Sequence, residues 1–287
     1  WRNRMSLINI TLIVYVIASI AYIAREIWRS TAARWVSLGL LILAFCFNLA
    51  MVAKRSIEAG HPPFSNLYES LIFYACCTAF VYIIFEFVYN FRIVGALASV
   101  LTMLILLYAT LQDDTIRPIM PALKSNWMLV HVVTYMLGYA AFGISFVTSI
   151  IFLVVKPFTR KGKEDRGSEE GKEILPRNFD KLSYKIVAFG FPFLTLGMIT
   201  GAVWAKKAWG DYWSWDPKET WSLITWLAYL VYLHTPLVLP KMNINKSKAA
   251  VILAIWLLIS FGIVNFTFMG LNYLPSAEDS EHIYGSK

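Results

Sequence analysis

Eight apolar runs joined by polar connections constrain this chain more than any other feature. They cover roughly 7–24, 35–53, 67–88, 93–111, 127–155, 186–204, 219–239 and 249–271. Several are long enough to cross about 30 Å of hydrocarbon at about 1.5 Å per residue. Backbone N–H and C=O groups in lipid must be bonded internally, which leaves helices or a closed barrel. The runs are continuous rather than alternating, so a barrel is excluded. The expected fold is all-α: a polytopic membrane protein of about eight transmembrane helices, with an external Trp-rich amphipathic segment. No soluble domain and no internal repeat stands out, so residues 1–287 read as a single integral membrane domain.

A formal charge of +8 raises the question of nucleic acid. The basic residues are instead dispersed in connections beside apolar runs, as membrane topology signals are. With eight spans, both termini share a side. One set of connections holds Arg25, Arg29, Arg34, Arg92, eight basic residues from Lys156 to Lys181, Lys185, Lys241, Lys246 and Lys248, sixteen of the 26 Lys and Arg. That richer side is expected to be cytoplasmic. The termini, the turn around His61, the loop 112–125 and the Trp-rich stretch then face outward. Segment 156–181 reads as a solvated cytoplasmic loop.

Cys46, Cys76 and Cys77 all fall within apolar runs and read as small apolar residues. The sequence has no CxxCH, so the chain is not itself a c-type cytochrome. Glu86 is the charge left inside a span, and snorkelling or pairing with Arg92 is expected of it. Before the third run, Gly60-His61-Pro62-Pro63 signals a turn, with Ser65 or Asn66 able to cap the next helix.

Residues 201–234 are the densest chemical feature. Trp204, Trp209, Trp213, Trp215, Trp221 and Trp226 fall there, interleaved with Asp211, Asp216 and Glu219. Tryptophan favours membrane interfaces, and anchoring is one reading. The other is a shelf of aromatic faces for a large, flat, amphiphilic ligand, with nearby histidines as metal ligands. Asp216-Pro217 has the form of an N-cap followed by proline at the first helical position.

The four histidines differ in setting. His131 falls near the outer end of the fifth span, where a histidine needs water, a partner or a metal. His234 is fifteen residues past Glu219, about 22 Å further along the same helix. Upright helices would hold His131 and His234 at different depths, as two separate sites. His61 in its Pro-rich turn suits a structural role. His282 stands in an acidic tail.

The stretch Trp209-Gly210-Asp211-Tyr212-Trp213-Ser214-Trp215-Asp216-Pro217-Lys218-Glu219-Thr220-Trp221 resembles the WWD motif of haem-handling proteins in cytochrome c maturation. In its WSWDPKE form and eight spans it is most similar to the CcsA/ResC family of the two-component synthase system. His61 to Ser70, Trp127 to Tyr139 and Tyr232 to Thr235 agree, so the resemblance covers nearly the whole chain.

The resemblance implies a haem-handling domain that exports haem b and presents it outside for covalent attachment to apocytochrome c CxxCH motifs. It would work beside a CcsB/ResB-type partner and thiol-reducing proteins, as a component of a thioether-forming holocytochrome c synthase. The membrane would be the bacterial cytoplasmic membrane or its thylakoid equivalent. Trp204, Trp209, Trp213, Trp215, Asp216 and Trp221 are the implied cofactor-binding residues. His131 matches the first outer iron ligand, and His234 the intramembrane one, whose axial partner comes from the companion protein.

The family's last span ends in a Gly-Leu-His-Ser-Tyr-like sequence, where this chain has Gly270-Leu271-Asn272-Tyr273 and then His282-Ile283-Tyr284-Gly285. Asparagine is not a usual haem ligand. Either His282 supplies the second outer ligand from a longer arm, or another group does. Two other readings remain at this point: a transporter or chaperone that relays haem without bonding it, and a structural subunit anchored by its tryptophans.

Overall fold

The computed structural model describes residues 6–28, 30–89, 92–165, 174–238 and 245–270, with side chains left out at 92–93, 157–165, 174–180 and 246. Its elements are α1 (Leu7–Trp28), α2 (Thr31–Ala59), α3 (Leu67–Tyr89), α4 (Arg92–Ala109), a short 3-10 turn (Pro121–Leu123), α5 (Asn126–Asp165), α6 (Ile174–Trp209), α7 (Pro217–Val238) and α8 (Lys246–Phe268). The expected all-helical membrane architecture is what the chain adopts. Among the described residues, seven helices are long and apolar enough to cross a membrane, and the apolar part of α4, Val94–Ala109, is shorter.

The helices outrun the apolar runs that announced them. Segment 156–181, expected as a loop, is helical at both ends: α5 continues to Asp165 and α6 begins at Ile174. The correction has a simple cause. Lys, Arg and Glu are good helix formers, so a helix continues after its apolar stretch has ended. An apolar run marks the part of a helix in hydrocarbon, not where it stops.

The chain forms two compact units, 1–140 and 141–287, with the division inside α5. In the first, α1 packs on α2 and α4, and α3 packs on the same two helices, closing a four-helix cycle. One face of α1 is buried through Thr11, Tyr15, Ala18, Ser19, Tyr22 and Arg25. Their spacing of three and four residues is that of a single helical stripe. It is unusually polar for a membrane helix, and its polar ends are met by other helices. Asn48 on α2 bonds Tyr15 Oη at 3.4 Å.

Two carboxylates, Glu69 and Glu86, stand at opposite ends of α3, seventeen residues and about 25 Å apart. Both are buried. Asn66 caps α3 by accepting from Glu69 N at 2.8 Å. Glu69 Oε2 answers by accepting from Ser65 N at 2.9 Å and Ser65 Oγ at 2.7 Å. This is a variant of the capping box: the cap satisfies the third helical N–H, and the third residue's carboxylate reaches back past the cap to the residue before it. Glu69 Oε1 also pairs with Arg55 at 2.9 Å.

At the far end, Glu86 is held by Arg25 at 2.8 Å and by Tyr82 Oη at 2.6 Å, with Arg34 Nε at 3.6 Å. Its described cationic partners are Arg25 and Arg34; the Arg92 side chain, expected as a partner, lies outside those described. Burial forces that arrangement, because a carboxylate out of water needs a close cation and hydrogen bonds.

The second unit packs α7 against α8 and α6. Phe142, in the part of α5 belonging to this unit, stacks on Tyr229 with centroids 3.6 Å apart, and both are fully buried. Phe146 meets Phe261 at 4.7 Å. Trp256 donates its indole N–H to the Ala228 carbonyl at 2.9 Å, tying α8 to α7. Thr225 and Thr267 hydroxyls meet at 3.1 Å. Proline at 192 in α6 and at 236 in α7 each removes a helical N–H.

Candidate functional site

The connection from α6 to α7 is built as a strapped loop. Gly210 takes φ 99, a conformation natural to glycine and costly for other residues. The Lys206 ammonium donates to the Gly210 carbonyl and stands 5.6 Å from the Tyr212 ring centroid. Lys206 is thus engaged in folding the loop.

At the loop's other end Asp216 caps α7, its Oδ1 accepting from Lys218 N at 2.7 Å. The expected N-cap with Pro217 in the first helical position is present. Glu219 completes the box, its Oε2 accepting from Asp216 N at 3.2 Å and from Ser214 N at 2.8 Å. This resembles the Asn66–Glu69 device of α3, but here the glutamate also accepts from the cap residue's own N–H, and its charge is met differently. Glu69 is neutralised by Arg55, whereas the bonds shown for Glu219 come from backbone amides and the Ser214 hydroxyl.

Between the two amides that Glu219 gathers lies Trp215, at φ 61. Among the described residues it is the one non-glycine with positive φ. A bulky residue held there costs on the order of 1–3 kcal/mol, and such strain concentrates at functional sites. Trp215 is 67% exposed, whereas Trp213 is half-buried. The two rings meet edge to face at 5.8 Å, and Tyr212 is exposed beside them.

The other tryptophans are committed to packing. Trp204 is buried and meets Trp209 edge to face at 4.6 Å. Trp221 lies against Phe266 at 4.5 Å. Trp226 donates to Thr195 Oγ1 at 2.9 Å and lies beside Phe191. The structure therefore divides the Trp-rich motif into a packed set that fixes the helix ends and one exposed indole, Trp215, set against the half-buried Trp213. Sequence alone could not make that division, because every indole in the motif has the same chemistry.

His234 is exposed on α7, with Nδ1 2.8 Å from the Leu230 carbonyl. A carbonyl only accepts, so Nδ1 donates here, and in the neutral ring Nε2 holds the lone pair. It falls on a stripe with Ile224, Leu227, Val231 and Val238, all exposed and apolar. In the first unit, His131 is half-buried one helical turn from Tyr135, with ring centroids 4.7 Å apart. Tyr135 in turn meets Tyr139 at 5.3 Å. Tyr74 Oη donates to the Tyr139 carbonyl at 3.2 Å.

His61 is buried, its Nδ1 2.9 Å from the Pro62 carbonyl, in keeping with a structural part in the turn. His282 and Asn272 lie outside the described residues.

In loop 112–125, Asp113 accepts from Thr115 N at 3.0 Å and pairs with Arg117 at 2.7 Å. The hydrogen bonds from Thr115 hold its carboxyl below the usual aspartate range, with Arg117 adding to the effect.

Sequence reasoning missed the Arg25–Glu86 cluster. The signal was the stripe Thr11, Tyr15, Tyr22, Arg25, whose helical spacing continues past the apolar limit at residue 24.

A sequence model described as Cytochrome C assembly protein matches residues 64–277. The cytochrome c biogenesis protein CcsA of Guillardia theta is 37% identical over 295 residues, covering 96% of this chain and 95% of the relative. CcsA of Microcystis aeruginosa (strain NIES-843 / IAM M-2473) is 35% identical, covering 87% of each. CcsA of Chlamydomonas reinhardtii is 38% identical over 82% of this chain, which spans 64% of that relative. Among solved structures, the cytochrome c heme lyase CcmF is similar, with a TM-score of 0.63 over 94% of this chain. At 15% identity and half of that chain's length, this likeness concerns the fold. The matched region contains the strapped loop, His131 and His234, and with relatives aligned over nearly their full length the chain belongs to the CcsA branch of the cytochrome c assembly proteins.

Proposed function

We propose that this chain carries haem b across the membrane and presents it at the outer face for covalent attachment to apocytochrome c. The observation that carries the reading is the Trp213–Trp215 pair: an exposed indole set against a half-buried one on a loop fastened at both ends, in a member of a cytochrome c assembly family. With the two rings nearly perpendicular, one indole can lie flat on an apolar macrocycle while the other meets its edge. Haem supplies vinyl groups for thioether bonds to the CxxCH thiols. The protein's contribution is binding and orientation.

His131 is assigned as an outer axial ligand, and His282 as its counterpart. His234 is assigned to an intramembrane step, with its Nε2 lone pair available to iron and its ring fixed by Leu230. A CcsB/ResB-type protein supplies the opposite ligand there. Thiol-reducing proteins keep the apocytochrome cysteines competent. Of the tryptophans named from sequence, Trp213 and Trp215 contact the cargo, while Trp204, Trp209 and Trp221 shape the platform beneath. Asp216 acts through the α7 cap. The distribution of basic residues supports an outward-facing loop and outward termini, in a bacterial cytoplasmic or thylakoid membrane.

The test is the absorption spectrum of protein purified with its companion, for wild type and for His131→Ala, His234→Ala and His282→Ala. The reading predicts a Soret band that weakens or shifts in the His131 and His282 variants. A wild-type preparation without a Soret band would overturn it. Asn272 at the family's usual histidine position favours a second reading, a relay that never forms the covalent bond. A Soret band insensitive to His282, with haem loaded and no covalent product, would establish that reading instead.

A further inference from the structure

Glu219 reaches further than a cap requires. Asp216 alone satisfies Lys218 N, the donor a helix start of this kind exposes. Glu219 Oε2 passes back across the cap to Ser214 N as well as Asp216 N, gathering the amides on both sides of Trp215 onto one oxygen. Two neighbouring amides converge on a single oxygen when the residue between them turns left-handed, the concave arrangement that backbone nests use for anions. Trp215 has that conformation, at φ 61. Releasing the oxygen would let Trp215 return to an ordinary backbone and swing its indole elsewhere. The opposite end of the loop is fixed independently by Lys206 on the Gly210 carbonyl.

We infer that Glu219 is the positioning residue of the aromatic platform. Its carboxylate clasps Ser214 N and Asp216 N, and the clasp holds the Trp215 indole outward beside Trp213, in the orientation that receives the flat face of haem. The inference rests on the haem-presenting reading above and deepens it. Glu219 touches no cargo and acts through Trp215.

Two measurements test it. The first is hydrogen exchange over 210–220 in the haem-free protein. Ser214 and Asp216 amides should be protected in wild type and in Glu219→Gln, whose side-chain carbonyl still accepts. They should exchange at least about tenfold faster in Glu219→Ala. The second is the rate of haem transfer from the loaded protein to apomyoglobin. Glu219→Ala should release haem about tenfold faster, Glu219→Gln within about threefold of wild type, and Trp215→Ala as fast as Glu219→Ala.

The Glu219→Ala/Trp215→Ala double variant should release no faster than Trp215→Ala alone, because the clasp works through the indole. Additive effects, or unchanged release in Glu219→Ala beside fast release in Trp215→Ala, would overturn the positioning role. Unchanged release in Trp215→Ala itself would count against the platform and so against the underlying reading.

Discussion

Arg25 Nη1 lies 2.8 Å from Glu86 Oε1, with the two side chains 2% and 0% exposed, so α1 and α3 are joined by an ion pair almost wholly out of solvent. Tyr82 Oη adds a hydrogen bond to the other carboxylate oxygen. Removing one partner of such a pair leaves an unpaired buried charge and costs about 3–5 kcal/mol, whereas replacing both by apolar residues is often neutral. Arg25→Met is therefore expected to lower the melting temperature of the detergent-solubilised protein sharply. Arg25→Met/Glu86→Met should recover most of that loss. A single variant as stable as wild type would contradict the assignment.

Gly95 on α4 faces the same cluster. A Cβ added there would run into Tyr82 Oη and the Tyr22 ring, which meet each other edge to face at 5.9 Å. The tyrosines are buried, and Tyr82 is held by Glu86, so neither yields easily. Gly95→Ala should cost about 1–3 kcal/mol through overpacking. The check is the same thermal melt, with Gly262→Ala as control, since a Cβ at 262 meets nothing within 4 Å.

Asp113 gives a pH dependence whose sign is fixed. Its carboxyl titrates below its ordinary value of 3.8 because Thr115 donates two hydrogen bonds to it, with Arg117 beside it. A depressed folded value means the ordering it provides is present above the ordinary value and is lost as pH falls through the folded one. Exchange protection of the Thr115 amide should thus persist as the pH drops past 3.8 and vanish below. Asp113→Asn should remove that pH dependence.

Much of this molecule is legible in its sequence, for particular reasons. The eight helices follow from apolar runs, and the caps at Asn66 and Asp216 from short polar residues placed before Glu69 and Glu219. Helix ends are less legible: polar, helix-favouring residues carry α5 to Asp165 although the apolar run stops near 155. The Arg25–Glu86 pair was hidden because Arg25 reads as a residue of the next connection, and its partner is 61 residues away. The division of the tryptophans was hidden for a different reason. Whether an indole packs or projects depends on tertiary neighbours such as Phe266 and Thr195, and in Trp215 on a backbone conformation that propensity alone disfavours.

The most direct test of outward haem presentation is covalent cytochrome c formed by membranes containing the protein and its companion, at matched protein levels. Trp213→Ala/Trp215→Ala is compared with Trp204→Phe, which keeps an aromatic ring at the buried position packed on Trp209. The account predicts that the Trp213/Trp215 variant loses nearly all covalent cytochrome c and its outer Soret signal, while Trp204→Phe retains most of both. Normal covalent yield without Trp213 and Trp215 would contradict it.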